Sequence, residues 1–442
     1  MNKSTLALAV SVGVLAQQAG AAGFIEDSKA TLGLRNFYIN TDNRSGAANP
    51  SRNEEWGQGF DLRFISGYTQ GTVGFGVDAI GLLGVRLDSG GGTNGAANGA
   101  AYGGTVFPSE SNGEAVDNFS SLGLTAKAKI SQTELKLGTL QPKLPVIVTN
   151  DGRLLPQTFQ GGQITSSEIK DLTLVGGQIE HVKGRNSSSN EQLSIGGASA
   201  RTANSNKFIY AGGDYKITKD LTAQYYYGNL EDFYKQHFLG LVHNWAIGPG
   251  VLKSDLRYFN SSDDGLNGNT AAYYSNGNYN STANGKGKVD NNLYSGLFLY
   301  TVAGHTFGGG YQVSNGSSDF PWLNQGDGSS AYLTTDSQIA KFARAGERTW
   351  QARYSYDFAK VGVPGLTAGV VYLHGDDIDT RSPASTDSSE WERDLTVGYV
   401  VPEGPLKNVG LMWKNATWRT NIPGQRDQDE NRLIVSYSIP LL

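Results

Sequence analysis

A two-residue alternation of apolar and polar side chains, repeated in segments of about ten residues, constrains this chain more than any other feature. In "KATLGLRNFY", Leu32 and Leu34 share one face while Thr31, Gly33 and Arg35 share the other. In "QGFDLRFISG", Phe60, Leu62 and Phe64 oppose Asp61 and Arg63. "SLGLTAKAKI" sets Leu122, Leu124, Ala126 and Ala128 against Lys127 and Lys129, and "TWQARYSYDF" sets Trp350, Ala352, Tyr354 and Tyr356 against Gln351, Arg353 and Ser355. A period of two belongs to strands with one apolar face.

Alternation alone fits either a soluble sandwich or a barrel closed in a membrane. Segment length favours the barrel, because tilted spanning strands need about 9–11 residues and sandwich strands are nearer 5–6. The chain holds 59 glycines, 22 tyrosines, 17 phenylalanines and 7 tryptophans. Its mean hydropathy is only −0.37. A spanning barrel has that profile, since only alternate residues face lipid. Tyr225, Tyr226, Tyr227, Tyr354, Tyr372, Trp413 and Tyr437 fall near segment ends, as the aromatic girdles of a barrel would. Short connections such as 130–133 and 216–221 alternate with long polar ones at 88–118, 259–289, 314–345 and 376–391. The expected fold is all-β: a transmembrane antiparallel up-and-down barrel. At about 23 residues per strand and connection, the length left after residue 21 gives roughly eighteen strands, with an even number expected.

The first residues supply Lys3, an apolar run at 6–15 and a small-residue site at Ala19-Gly20-Ala21. Residues 1–21 therefore read as a secretory signal peptide, and 22–442 as a single barrel domain. No cysteine is present, which excludes disulfides and thiolate metals, and 5 histidines are too few for a dense imidazole site. The formal charge of −5 becomes −6 once Lys3 is removed, so a general nucleic-acid binder is disfavoured. His181, His237, His243, His305 and His374 lie in no nucleophile-bearing motif and no G-x-S-x-G occurs. We expect no enzyme, no catalytic residues, no cofactor and no metal. Asp376, Asp377 and Asp379 are a weak calcium signal, better explained as a solvated acidic loop.

The segment 142–162, "PKLPVIVTNDGRLLPQTFQGG", breaks the pattern. Prolines are excluded from central strands, so this is irregular backbone, stiffened by proline and given a buried face by residues 144–148. Together with "GFIEDSKATLGLRNFY", "NLEDFYKQHFLG", "GERTWQARYSYDFAKVGVPGLT" and "NRLIVSYSIPLL", it resembles the OprD family of outer-membrane porins, also called outer-membrane carboxylate channels. The resemblance runs in order over nearly the whole chain after residue 21. It implies an eighteen-stranded barrel in the bacterial outer membrane, narrowed by a third outer loop that folds inward. It also implies a basic ladder on the lumen wall and small carboxylate-bearing solutes as substrates.

On that resemblance, Asp151 and Arg153 match the eyelet acid and arginine of the aromatic-carboxylate branch, and Lys183 and Arg185 a second cationic site. Arg35, Arg63, Arg257 and Arg353 take the polar face of their strands, where an arginine is tolerated if it faces water but costs about 2–4 kcal/mol at the lipid midplane. Lys414 extends this wall, although Val371 and Met412 stand where further ladder arginines are expected. Asp336 is followed by Lys341 and Arg344, a lining that repels cations. The reading is a passive, selective channel for small anions, in contact with outer-membrane lipid and lipopolysaccharide, as a monomer or loose homotrimer. The alternative is a basic-amino-acid or peptide channel, or a less specific porin, of the same family.

Overall fold

The computed structural model describes residues 23–46, 51–88, 96–97, 100–101, 104–111, 114–196, 204–265, 288–323, 330–380 and 387–442. The expected signal segment 1–21 lies outside the described residues. Eighteen long strands run through them: β1 Lys29–Asn43, β2 Arg52–Ile65, β3 Gly74–Asp88, β4 Asn118–Ile130, β5 Thr133–Leu140 and β6 Thr158–Ser166. Next come β7 Leu172–Lys183, β8 Phe208–Lys216, β9 Leu221–Leu230, β10 Tyr234–Ile247, β11 Gly250–Asp263 and β12 Asp290–Val302. The last are β13 His305–Gly316, β14 Arg348–Asp357, β15 Leu366–Ile378, β16 Ser388–Val400, β17 Gly410–Thr420 and β18 Gln428–Pro440. Each pairs antiparallel with its chain neighbours. β1 also pairs with β18, from Thr31↔Pro440 to Asn43↔Gln428, which closes the barrel and leaves no open edge.

Connections at one end are tight: 131–132, 248–249 and 303–304 hold only the reversal itself. Ser131, Ala303 and Gly248 carry the positive φ that such reversals need. The other end carries long connections, including 89–117, 141–157, 184–207 and 317–347. Barrels of this type place the tight turns in the periplasm and the long loops outside the cell.

The registers sort the side chains onto two faces. The outer face leaves Leu62, Leu122, Leu137, Leu239, Phe298 and Leu433 exposed. An apolar band that size persists only against lipid. Trp56 and Trp350 stand on it toward the long-loop end, and Trp245 and Tyr437 toward the tight-turn end. Tyr226 departs from the expected girdle: its neighbours Tyr225 and Tyr227 take the outward positions, and Tyr226 is buried inside. Among the described residues no helix is long and apolar enough to cross a membrane.

The interior is partly filled by two apolar clusters. One gathers Phe208, Tyr210, Tyr226, Phe238, Phe259 and Phe320. The other gathers Phe37, Ile39, Phe107, Leu154 and Leu155. The 141–157 loop joins both, with Val146 and Ile147 in the first and Leu154 and Leu155 in the second. That double burial draws an irregular segment into the barrel, where it packs on protein instead of meeting lipid. The wall makes room with glycine. A Cβ at Gly228 would sit 2.9 Å from Val146 Cβ, and one at Gly59 would sit 2.9 Å from the Leu154 carbonyl oxygen.

Candidate constriction and lumen lining

The inward loop narrows to a tip at Asn150-Asp151-Gly152. Gln157 N donates to the Asn150 carbonyl at 2.8 Å, and Gly152 N donates to Asn150 Oδ1 at 2.9 Å. The tip is therefore an Asx-type turn that closes on itself. Three guanidinium groups converge on it. Arg35 on β1 donates from Nη1 to Asp151 Oδ1 at 2.7 Å and from Nη2 to Asp151 Oδ2 at 3.3 Å. Its Nη1 also reaches the Arg153 carbonyl at 2.6 Å. Arg185, in the connection after β7, donates to Asn150 Oδ1 at 2.9 Å. Arg432 on β18 donates to the Gly152 carbonyl at 3.2 Å.

Arg35 and Asp151 remain accessible, with side-chain exposures of 30% and 47%. Arg185 is buried, as is Lys183, whose ammonium donates to the Gly184 and Ser187 carbonyls at 3.2 and 3.4 Å. Arg153 directs Nη1 to the Thr105 carbonyl. Residues 105–107 in turn donate three backbone N–H groups to Glu55 on β2, at 2.6, 2.9 and 3.0 Å. Arg153 thus helps seat the tip against a neighbouring loop.

The four strand arginines of the expected wall all take the inner face, and each is held. Arg63 forks onto Asp61. Arg257 forks onto Asp255, donates to the Tyr332 carbonyl at 3.1 Å and stacks 4.0 Å from the Tyr332 ring. Arg353 donates to Gln351 Oε1 at 2.6 Å and to the Thr334 carbonyl. Lys414 on β17 lies opposite Arg432 in register. It makes no hydrogen bond and no ion pair within 4 Å among the described residues. Met412 shares its inward face, and Val371 on β15 faces Arg353 across the register, so the wall has no cation at either position.

A second loop, 317–347, is held by β16 and β18. Glu392 on β16 accepts the backbone N–H groups of Gln338, Ile339 and Ala340 at 3.0, 2.8 and 2.7 Å. Glu430 accepts from Gln338 Nε2 at 2.9 Å, and Arg432 Nη2 donates to the Gln338 carbonyl at 3.0 Å. Asp336 closes on Lys341 at 2.9 Å and accepts Ala331 N at 2.8 Å. Lys341 also lies 5.6 Å from the Trp322 ring. Above this loop a cavity of ≈ 700 Å³ opens, lined by Trp322, Lys341, Arg344, Glu390, Trp418 and Arg426. Burial, reinforced by Glu390, pushes the Glu347 carboxyl well above the usual carboxylate range.

Sequence reasoning missed Arg432, Glu55 and Glu392. Arg432 had a signal, since it opposes Leu433 in the alternation of the last strand. The acids had none beyond their inward parity. Asp377 pairs with Arg348 at 3.3 Å, and no cluster among the described residues is placed to hold a metal ion.

A closed eighteen-stranded barrel with an apolar belt and inward loops defines a porin of the bacterial outer membrane. The family profile described as outer membrane porin, OprD family, matches residues 22–441. The chain belongs to that family. It is 39% identical over 439 residues to the porin-like protein GalP of Pseudomonas putida, covering 99% of this chain and 97% of that one. The crystal structure of Pseudomonas aeruginosa OccK8 (OprE) is 63% identical, with a TM-score of 0.86, covering 95% of this chain and all of that one. The structure of Pseudomonas aeruginosa OpdK with vanillate is 37% identical, with a TM-score of 0.82, over 95% of this chain and 100% of that one. The relatives are channels and not enzymes.

Proposed function

We propose that this porin is a passive, substrate-selective diffusion channel for small solutes that carry a carboxylate. Residues 1–21 direct export and are cleaved, and 22–442 form the single channel domain. The observation that carries the reading is the convergence of Arg35, Arg185 and Arg432 on the tip of the inward loop, with Arg35 and Asp151 accessible. Arg35 presents a planar fork that matches a carboxylate. Because Asp151 already occupies that fork, a solute carboxylate binds by exchange. Exchange keeps the contact weak and brief, which conduction requires. Lys414, with no carboxylate held against it, offers the next stop along the wall. Arg63, Arg257 and Arg353 supply fixed positive potential, and Arg153, Lys183 and Arg185 hold the loops that shape the eyelet. The OpdK structure is described with vanillate, a small aromatic carboxylate, and supports the same substrate class. A cationic substrate is disfavoured because Asp336 is closed on Lys341 and Glu392 on backbone amides.

Uptake into proteoliposomes tests this with a panel of a benzoate-like acid, a dicarboxylate and arginine. The carboxylates should enter fastest. Arg35→Gln should slow them about tenfold, equivalent to roughly 1.4 kcal/mol. Lys414→Gln should slow them several-fold. Asp151→Asn should lengthen the residence of a carboxylate, since Arg35 loses its resident competitor. Arginine entering as fast as benzoate, or carboxylate uptake unchanged in Arg35→Gln, would overturn the reading.

A further inference from the structure

Arg393 on β16 has no place in the pore. Its register partners are Tyr372 on β15 and Thr417 on β17, both on the outer face. Its Nη2 donates to Thr417 Oγ1 at 3.0 Å and to Asn415 Oδ1 at 3.3 Å. Its Nε is buried and has no partner, and no carboxylate of the described residues lies within 4 Å of the guanidinium. The surroundings are built. Asn415 Nδ2 and Trp413 Nε1 both donate to Asn431 Oδ1, at 3.1 and 3.4 Å. On the other side Tyr372 stacks on Trp391 at 5.8 Å and packs on Trp350 at 5.3 Å.

A lipid-facing guanidinium is costly at the bilayer midplane and tolerated at the interface. The aromatic rings around Arg393 mark the interface level, and its strand begins at the end that carries the long outer loops. A positive charge there, oriented by an amide and a hydroxyl but paired with no carboxylate among the described residues, calls for an anion from the membrane. Carboxylate solutes pass through the lumen and never meet this face. We propose that Arg393, Asn415, Thr417 and Asn431 form a binding site for the phosphate group of an outer-leaflet glycolipid. The guanidinium supplies charge, and the side-chain amides hydrogen-bond the sugar-phosphate head.

Native mass spectrometry of the full-length protein tests this, using bisphosphorylated lipid A and the same glycolipid stripped of phosphate. The wild type should prefer the phosphorylated form, and Arg393→Gln should lose about fivefold of that preference. Arg393→Lys should keep most of it. Single-channel conductance of Arg393→Gln should match the wild type, which reports a properly closed barrel. Thr417→Val removes one anchor of the fork and should weaken the preference in the same direction, which carries the test if Arg393→Gln does not assemble. A phosphate preference retained in these variants would overturn the proposal. So would a change of oligomeric state in Arg393→Gln at unchanged lipid preference, because the patch would then be a contact between copies.

Discussion

Arg432 is the side chain on which both inward loops meet. It is buried, pairs with Glu430 at 2.6 Å, and donates to the carbonyls of Gly152 and Gln338 from two different loops. Replacing it removes the charged partner of Glu430 and a donor to two loop carbonyls in a poorly solvated place, a loss of about 3 kcal/mol in loop docking. Arg432→Gln should therefore widen and loosen the eyelet. Planar-bilayer recordings should show higher conductance and more open-channel noise, with Arg432→Lys between the two. Wild-type conductance and noise in Arg432→Gln would show that neither loop depends on it. At this scale the sequence was partly legible. The inward parity of Arg35, Arg63, Arg257 and Arg353 followed from alternation alone. Their partners did not, because Arg35 and Asp151 are 116 residues apart and Arg432 and Gly152 are 280 apart. No local pattern encodes such pairs. Arg153 shows the consequence: its place in the turn was readable, but its hold on Thr105 depends on a distant loop.

Among the elements, strands were legible and loop seats were not. A strand announces itself through period two. A loop held by acids does so only after the wall has formed. The 317–347 loop hangs on carboxylates of β16 and β18, and at its end on Glu347, whose backbone neighbour Arg344 N donates to Glu347 Oε2 at 2.9 Å. Burial and then the nearby Glu390 raise the Glu347 carboxyl. A carboxyl raised in the docked loop favours the protonated, neutral form. Its contribution to docking is full below the free carboxylate pKa and is lost as pH rises through the docked value. Amide protection of 344–347, corrected for intrinsic exchange, should accordingly fall from acid to neutral pH. Glu347→Gln, neutral at every pH, should hold that protection flat. An equal pH dependence in Glu347→Gln would place the titration elsewhere.

For the whole molecule the question is which field a solute meets. The formal charge of the chain is −5, which taken as a uniform sphere would draw cations. The charges are not uniform. Asp61, Asp255, Glu430 and Glu392 are bound to arginines or backbone amides, whereas Arg35 stays accessible and Lys414 unpaired on the inner wall. Low-dielectric walls focus the field of those few cations along the lumen. The closed barrel makes this possible, because pairing β1 with β18 leaves side chains, and not open backbone, to set the potential inside. Reversal potentials across a salt gradient separate the two pictures. At about 0.1 M the Debye length is about 10 Å, comparable to a narrow lumen, and at about 1 M it is about 3 Å. Anion preference should be clear at the lower concentration and much reduced at the higher one. Lys414→Gln with Arg35→Gln should reduce it already at low salt. Cation preference at low salt in the wild type would mean that the net charge governs the channel, and the carboxylate path would then have no electrostatic basis.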